Sequence, residues 1–294
     1  MQMKASKGEK IFYLINEVFL VAVALVCLAP MVYIFAVSLS SSSAVTAGKV
    51  FFWPVDFTLT GYEYLLKNQM FWKAMLNSVI RVSLGTVINV GCACLVAYPL
   101  SKPNERFKLR TFYAWVFFIP MIVNGGLIPT YMVVKDTNLI DSIWSLILPG
   151  AVPVFFIMVL LNFFRAIPSE LEDAALIDGA GQIRTLVQIF IPLSKPALAT
   201  LCVYAMLNHW NAWFDGTIYL NSLSKFPLLT YMQTVVVNYN PELLSPAELE
   251  QMSKLGGRNL EAAQIFASSL PIIMTYPFFQ KYFTKGLILG GVKG

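Results

Sequence analysis

Residues 171–181 read LEDAALIDGAG, an acidic, helix-forming segment that ends in glycine and lies between two of the most apolar stretches of the chain. Its surroundings are hydrocarbon-like: 57% of the 294 residues are hydrophobic, 13% are charged, and the mean hydropathy is +0.66. That composition belongs to a membrane protein rather than a soluble domain. Unpaired carboxylates are costly inside a bilayer. The segment must therefore stand outside it, and the fold turns on which side it occupies and why.

A helix needs about 20 apolar residues to cross roughly 30 Å of hydrocarbon. Six stretches qualify: 11–38, 72–98, 111–133, 142–164, 197–220 and 263–284. The first is too long in its apolar part for a cleaved signal peptide, and it continues as LAPMVYIFAVSLS without a convincing small-residue cleavage site. Six spans put both termini on one side. With that side cytoplasmic, Lys and Arg divide 13 inside against 7 outside, Arg81 lying within a span. This fits the positive-inside rule, so both termini are expected in the cytoplasm. Arg81 and Glu17 stand toward the ends of their spans and are expected to snorkel to the interface.

Cys27, Cys92, Cys94 and Cys202 all fall inside apolar runs and read as small core residues, with no paired CxxC ligands and no metal site expected. The chain has one histidine, His209, and no GxxxxGK[ST] loop, so it has no equipment of its own for hydrolysing ATP. Energy must come from a gradient or from a partner. An intramembrane enzyme would need a nucleophile and base, or metal ligands, within reach of one another; a lone histidine does not supply them.

On this topology residues 165–196 form a cytoplasmic loop too long to be a plain connection. Ser169 followed three residues later by Glu172 is a capping-box signature. Gly179 supplies the left-handed residue that ends helices, so a helix is predicted over 170–178. A second is predicted over 182–191, with Ile183, Leu186, Val187 and Phe190 repeating at helical spacing. Pro192 and Pro196 should then break the backbone before span five. The product is a helix-turn-helix elbow over 169–192 with an apolar ridge beside carboxylates, a shape suited to the groove of another protein. Resting on lipid is disfavoured, because anionic headgroups repel Glu170, Glu172, Asp173 and Asp178.

The stretch EDAALIDGAGQIRTLVQIFIPLSKPAL resembles the EAA signature of binding-protein-dependent ABC importers, with Asp173, Ala174, Ala175, Gly179, Ile189, Ile191 and Pro192 in register. Asp173 stands where the family has glutamate, and Ile191 where it has leucine. NSVIRVSLGTVIN, AYPLSKP, IPTYMVV, WNAWFDGTIYL and YFTKGLILGGVKG extend the likeness over most of the chain, with the permease core at 72–286. They resemble the carbohydrate branch, in particular the maltose-type second membrane subunit and its LplC-like subgroup.

The resemblance implies an all-α polytopic protein: one permease domain, 1–294, of six transmembrane helices with a cytoplasmic coupling elbow, in a bacterial plasma membrane. It implies a non-catalytic subunit that forms half of the path for a carbohydrate, an oligosaccharide by family likeness. Partners would be a second homologous permease, two copies of an ABC ATPase that bind the ATP and Mg, and an extracytoplasmic sugar-binding protein. Membrane lipid surrounds the bundle; nucleic acid is not expected. The ATPase would be met by Glu172, Asp173, Ala174, Ala175, Asp178, Gly179, Leu186, Val187, Phe190 and Pro192, with Glu172 a substitute for the shorter Asp173.

On the substrate side, Asn208, His209, Trp210, Asn211, Trp213 and Asp215 offer hydrogen-bonding groups and aromatic faces to a sugar, Asn208 and Asn211 foremost. The alternative is that the Trp residues belong to interfacial belts or packing and that His209 is a satisfied core histidine. The interruption at Gly125 and Gly126 either lines the same path or serves close helix packing. The extracytoplasmic loop 221–262 carries Tyr239, Asn240 and Pro241 as candidate contacts to the binding protein. The competing reading is an ion-coupled secondary transporter or channel, which would need coupling carboxylates or a charge relay within the bundle. Apart from Arg81 the span interiors show little of either.

Overall fold

The structure is a computed structural model that describes residues 7–123, 125–237 and 257–291. It is helical throughout, and among the described residues the sole β pairing is an isolated bridge between Ser40 and Phe57. In chain order the helices are α1 (Lys7–Ser38), α2 (Ser42–Thr46), α3 (Thr60–Lys67), α4 (Gln69–Ser101), α5 (Arg110–Ile122) and α6 (Leu127–Asp136). They continue as α7 (Val154–Arg165), α8 (Ser169–Ile177), α9 (Gln182–Leu193), α10 (Lys195–Asn211), α11 (Phe214–Tyr219), α12 (Leu228–Tyr231) and α13 (Gly257–Gly291).

Among the described residues, α1 and α4 are each long and apolar enough to cross a bilayer, and three bent pairs raise the number to five if each pair is one span. Two of these pairs fall in the third and fourth expected spans and the other joins α9 to α10, while the fifth span has a break of its own, so three expected spans are not straight helices. The third is α5 followed by α6; the fourth opens with the short turns Ile143–Leu146 and Leu148–Gly150 before α7; the fifth unwinds at Ala212 between α10 and α11. Apolar length alone cannot reveal such breaks, because unwinding a turn leaves the composition of a span unchanged.

The described chain divides into two compact units. The first comprises Met1–Gln69 and Val235–Leu270. In it, Ala36 and Val37 at the end of α1 pack with Ala44, Val45, Val50 and Ala262, and Phe35 meets Phe266 at 4.6 Å between ring centroids. The remainder of α1 is exposed along its length, Glu17 and Cys27 included. Cys27 therefore departs from the core position expected of it, whereas Cys94 is buried and Cys92 and Cys202 are half-buried.

The second unit comprises Met70–Thr234 and Pro271–Gly294. Its core joins Ala93, Cys94, Ala97 and Leu100 of α4 to Phe156, Ile157, Leu160 and Phe164 of α7, Leu186 and Phe190 of α9, and Ala197, Leu201 and Ala205 of α10. Several of these are alanines, and small residues let helices approach closely where lipid supplies no hydrophobic drive to associate.

A polar face runs down α4 beside that core. Asn77 donates to the carbonyls of Ser224 and Phe226, the Ser78 hydroxyl accepts from the Leu228 N–H, and Asn89 donates to the Gly150 carbonyl at 2.7 Å. The Asn89 Oδ1 also meets Nε2 of His209 at 2.8 Å. His209 is thus a satisfied core histidine and not a side chain of the substrate path, and Gly85 lies directly beneath its ring.

At the end of spans four and five away from α8, Asp141 staples two loops together. Its backbone N–H donates to the Tyr219 carbonyl, and its carboxylate accepts from the N–H groups of Asn221 and Ser222, the Ser222 hydroxyl and Lys225 Nζ. The Lys225 bond, more than the others, pulls the Asp141 carboxyl down to about 2.

Two outcomes follow. Gly85→Ala places a Cβ on the His209 imidazole and should cost about 1–3 kcal/mol, read as a lower thermal midpoint of the purified protein in detergent. A depressed carboxyl pKa stabilises above the unfolded value and ceases to do so as pH falls through the folded one. The midpoint of Asp141→Asn should thus lie below that of the parent at neutral pH, and the gap should close between about pH 4 and pH 2.

Candidate functional site

The elbow begins where Pro168 and Ser169 turn the chain out of α7. Ser169 is the first helical residue of α8 and not its cap: the cap position falls on Pro168, and no side-chain capping bond forms. Glu172 does not reach back to the helix start. It is buried, and its Oε2 lies 2.8 Å from Lys102 Nζ and 3.4 Å from Arg106 Nη1. A buried carboxylate demands a cation more strongly than a helix terminus demands a cap. This removes Glu172 as an outward-facing substitute for Asp173.

Asp173 is half-exposed and paired with Arg106. The hydrogen bond and charge of Asp173 raise the Arg106 guanidinium above its ordinary value, and burial lowers the Lys102 ammonium against the upward pull of Glu172.

The turn closes as expected. Gly179 has φ +75°, the Ala180 N–H bonds to the Ala175 carbonyl at 2.9 Å, and the Gly179 N–H bonds to the Leu176 carbonyl at 3.1 Å. This is the paired-bond helix stop for which glycine is the least strained residue. Ala175 packs inward, while Ala174 and Asp178 face solvent.

The apolar stripe of α9 is split along its length. Leu186 and Phe190 are buried, Phe190 wedging edge-on between the Tyr98 ring at 4.9 Å and the Phe164 ring at 5.4 Å. Ile183 and Val187 stay exposed, and Ile177 at the end of α8 is 86% exposed. Leu186 and Phe190 therefore anchor the elbow to its own chain, and the outward ridge is Ile177, Ile183 and Val187.

Pro192 stands in the last turn of α9, which ends at Leu193, and the break expected before span five follows there. Residues Leu186–Phe190 form a π turn in which the Ile191 N–H reaches the Leu186 carbonyl. That widening gives room for a ring that would otherwise crowd the preceding turn. The chain bends by 86° only between α9 and α10.

On the substrate side, Thr200, Tyr204, Leu207, Asn208 and Asn211 share the exposed face of α10. Trp210 is buried on the opposite side and is no lining residue; Trp213 is partly exposed in the break. Gly125 and Gly126 are exposed where α5 gives way to α6. Tyr239, Asn240 and Pro241 lie outside the described residues.

Arg81 does not snorkel. It is 1% exposed, bonds the Ala212 carbonyl at 2.9 Å through Nη1 and pairs with Asp215, whose carboxylate also takes the Gly216 N–H at 2.8 Å. The guanidinium thus holds both sides of the break in span five. Sequence reasoning missed this role, and those of Tyr98 and Lys102. The available signal was the run Ser78, Arg81, Gly85, Asn89, which recurs at helical spacing on one face of an otherwise apolar span.

No protein-family model matches the chain. The chain is 33% identical over 286 residues to the polygalacturonan/rhamnogalacturonan transport system permease protein YtcP of Bacillus subtilis (strain 168), covering 97% of this chain and 99% of that protein. It is 33% identical over 292 residues to protein LplC of the same organism, covering 99% and 98%. Among solved structures, a bacterial ABC transporter involved in the import of the acidic polysaccharide alginate contains a chain that superposes with a TM-score of 0.87 at 32% identity. That match covers 95% of this chain and 99% of the other.

Arg81→Met would leave the Asp215 carboxylate without its cation, and loss of one partner of a buried pair costs about 3 kcal/mol or more, less where the survivor reaches water as Asp215 does. The thermal midpoint in detergent should fall for Arg81→Met and recover most of the loss in Arg81→Met/Asp215→Leu.

Proposed function

Because the chain belongs to the family of permease subunits of binding-protein-dependent ABC importers for carbohydrates, we propose that its elbow is the cytoplasmic docking point of a partner ATPase. The observation that carries this reading is the ridge of Ile177, Ile183 and Val187, three large aliphatic side chains left exposed on short helices outside the spans. A ridge of this kind supplies the apolar anchors that a helix-in-groove contact uses, and Asp173 beside it supplies a charge. Arg106 holds Asp173 in the subunit alone, and an ATPase cation would compete for it.

In this reading the spans number six, with α13 the last, and both termini face the cytoplasm, in keeping with the distribution of Lys and Arg. The chain supplies half of a translocation path and a homologous permease the other half. Two ATPase subunits bind the ATP and Mg; this chain binds neither. Closure of the ATPase pair moves the elbows and opens the cavity outward, and hydrolysis resets it. The coupling requires different contacts in the two states. The intramembrane charge that an ion-coupled carrier would employ, Arg81, is already committed to Asp215.

An extracytoplasmic binding protein delivers the substrate. The named cargoes of YtcP and of the solved importer are acidic polysaccharides, so oligosaccharides of uronic acids are the first class to offer. Asn208, Asn211 and Trp213 are the described side chains best placed to meet them.

Ile183→Asp/Val187→Asp should insert normally but lose the ATPase on affinity purification, with ATP-dependent uptake of the oligosaccharide abolished in proteoliposomes containing the binding protein. Retention of the ATPase together with normal uptake would refute the docking role.

A further inference from the structure

Lys102 follows the last residue of α4, and a lysine there could extend into water. Instead its side chain is 8% exposed, and its ammonium serves three elements at once. Nζ lies 2.8 Å from Glu172 on α8, 3.8 Å from the centroid of the Tyr98 ring on α4 and 4.2 Å from the centroid of the Phe190 ring on α9. Two aromatic faces and a carboxylate thus enclose one cation. Tyr98 adds a second tie, its hydroxyl donating to Gln182 Oε1 at 2.8 Å at the start of α9.

The surroundings of the pair are not solid. Cavities of about 440 and 280 Å³ flank it, the first lined by Leu95, Tyr98, Phe107 and Leu186, the second by Pro103, Phe164, Arg165 and Phe190, and both by Lys102, Arg106 and Glu172. Leu186 and Phe190 pack α9 onto α4 and α7, whereas α8 buries only Glu172 and Ala175 and is tied to α4 through the Glu172 carboxylate. A buried ion pair brings no stability beyond what apolar residues of similar volume would bring, but here it fixes the position of a helix that has little packing of its own.

We propose that Lys102 is a positioning residue that locks both helices of the elbow to α4, so that displacement of the elbow is delivered to that span without slippage. The proposal rests on the docking reading of the elbow. Its destination is the helix whose polar face holds the breaks of the fourth and fifth spans, Asn89 at Gly150 and Arg81 at Ala212, and the loop beyond them through Ser78 at Leu228. A pull on the C-terminal end of α4 therefore reaches the unwound segment between Asn211 and Trp213 through Arg81.

The test uses the assembled importer with its binding protein in proteoliposomes, reading ATPase retention, ATP hydrolysis and uptake separately. Lys102→Met/Glu172→Leu fills the site with apolar side chains and removes the risk of a stranded charge. It should retain the ATPase while uptake per ATP hydrolysed falls about tenfold, a size typical of lost coupling. Lys102→Arg should keep most of the ratio, and the exchange Lys102→Glu/Glu172→Lys should restore part of it. An unchanged ratio in the apolar double variant overturns the lock and leaves docking intact, and so does release of the ATPase from that variant, since the pair would then serve attachment. Failure of the docking reading is seen elsewhere, in Ile183→Asp/Val187→Asp retaining a coupled ATPase.

Discussion

Inside hydrocarbon a backbone N–H or C=O without a partner costs several kcal/mol, because no water is there to replace it. Three of the expected spans are broken, and each break frees such groups. For two of them, α4 meets the demand from one face. Asn89 binds the backbone at Gly150 in the fourth span and Arg81 at Ala212 in the fifth, while Asn77 and Ser78 hold the loop beyond at Ser224, Phe226 and Leu228. These irregular segments are held because one helix supplies their missing bonds, and the exposed Asn208, Asn211 and Trp213 stand where they do because the break beside them is held.

The elbow departs at a few positions from the ordinary arrangement of a water-facing helix. Glu172, alone among its charged residues, turns inward to Lys102, and Ile177, Ile183 and Val187 turn outward while Leu186 and Phe190 are buried. Both departures are explicable. The carboxylate tethers the segment to its own chain, leaving the aliphatic surface uncommitted. An isolated domain has no use for that surface, whereas a subunit of a larger assembly needs it.

The parts of this arrangement legible in sequence were those set by local rules. The extents of α1, α4 and α8 follow from apolar length and from the turn chemistry of Gly179, whose conformation depends on its neighbours alone. The core role of His209 was legible as one of two readings for a related reason, as a lone imidazole on an apolar helix must find one partner. What escaped were choices made by distant residues. Whether Glu172 caps its helix or faces a lysine depends on Lys102, 70 positions earlier. The burial of Leu186 and Phe190, against the exposure of Ile183 and Val187, depends on where α4 and α7 lie. Pro192 and Pro196 marked the break before span five, but the π turn that accommodates Pro192 within α9 is a local event for which the sequence carries no mark of its own. Arg81 was misjudged from depth alone, since Asp215 lies in a segment whose unwinding hydropathy does not register.

The staple at Asp141 bears on how the bundle can change shape. One carboxylate, set in a left-handed residue at φ +58°, gathers the chain from Asn221 to Lys225 and so sews the start of the fourth span to the segment that follows the fifth. Those two ends cannot part without tearing every stitch together. Any gate at that mouth must then open along a different seam, with the fourth and fifth spans swinging as a single stave.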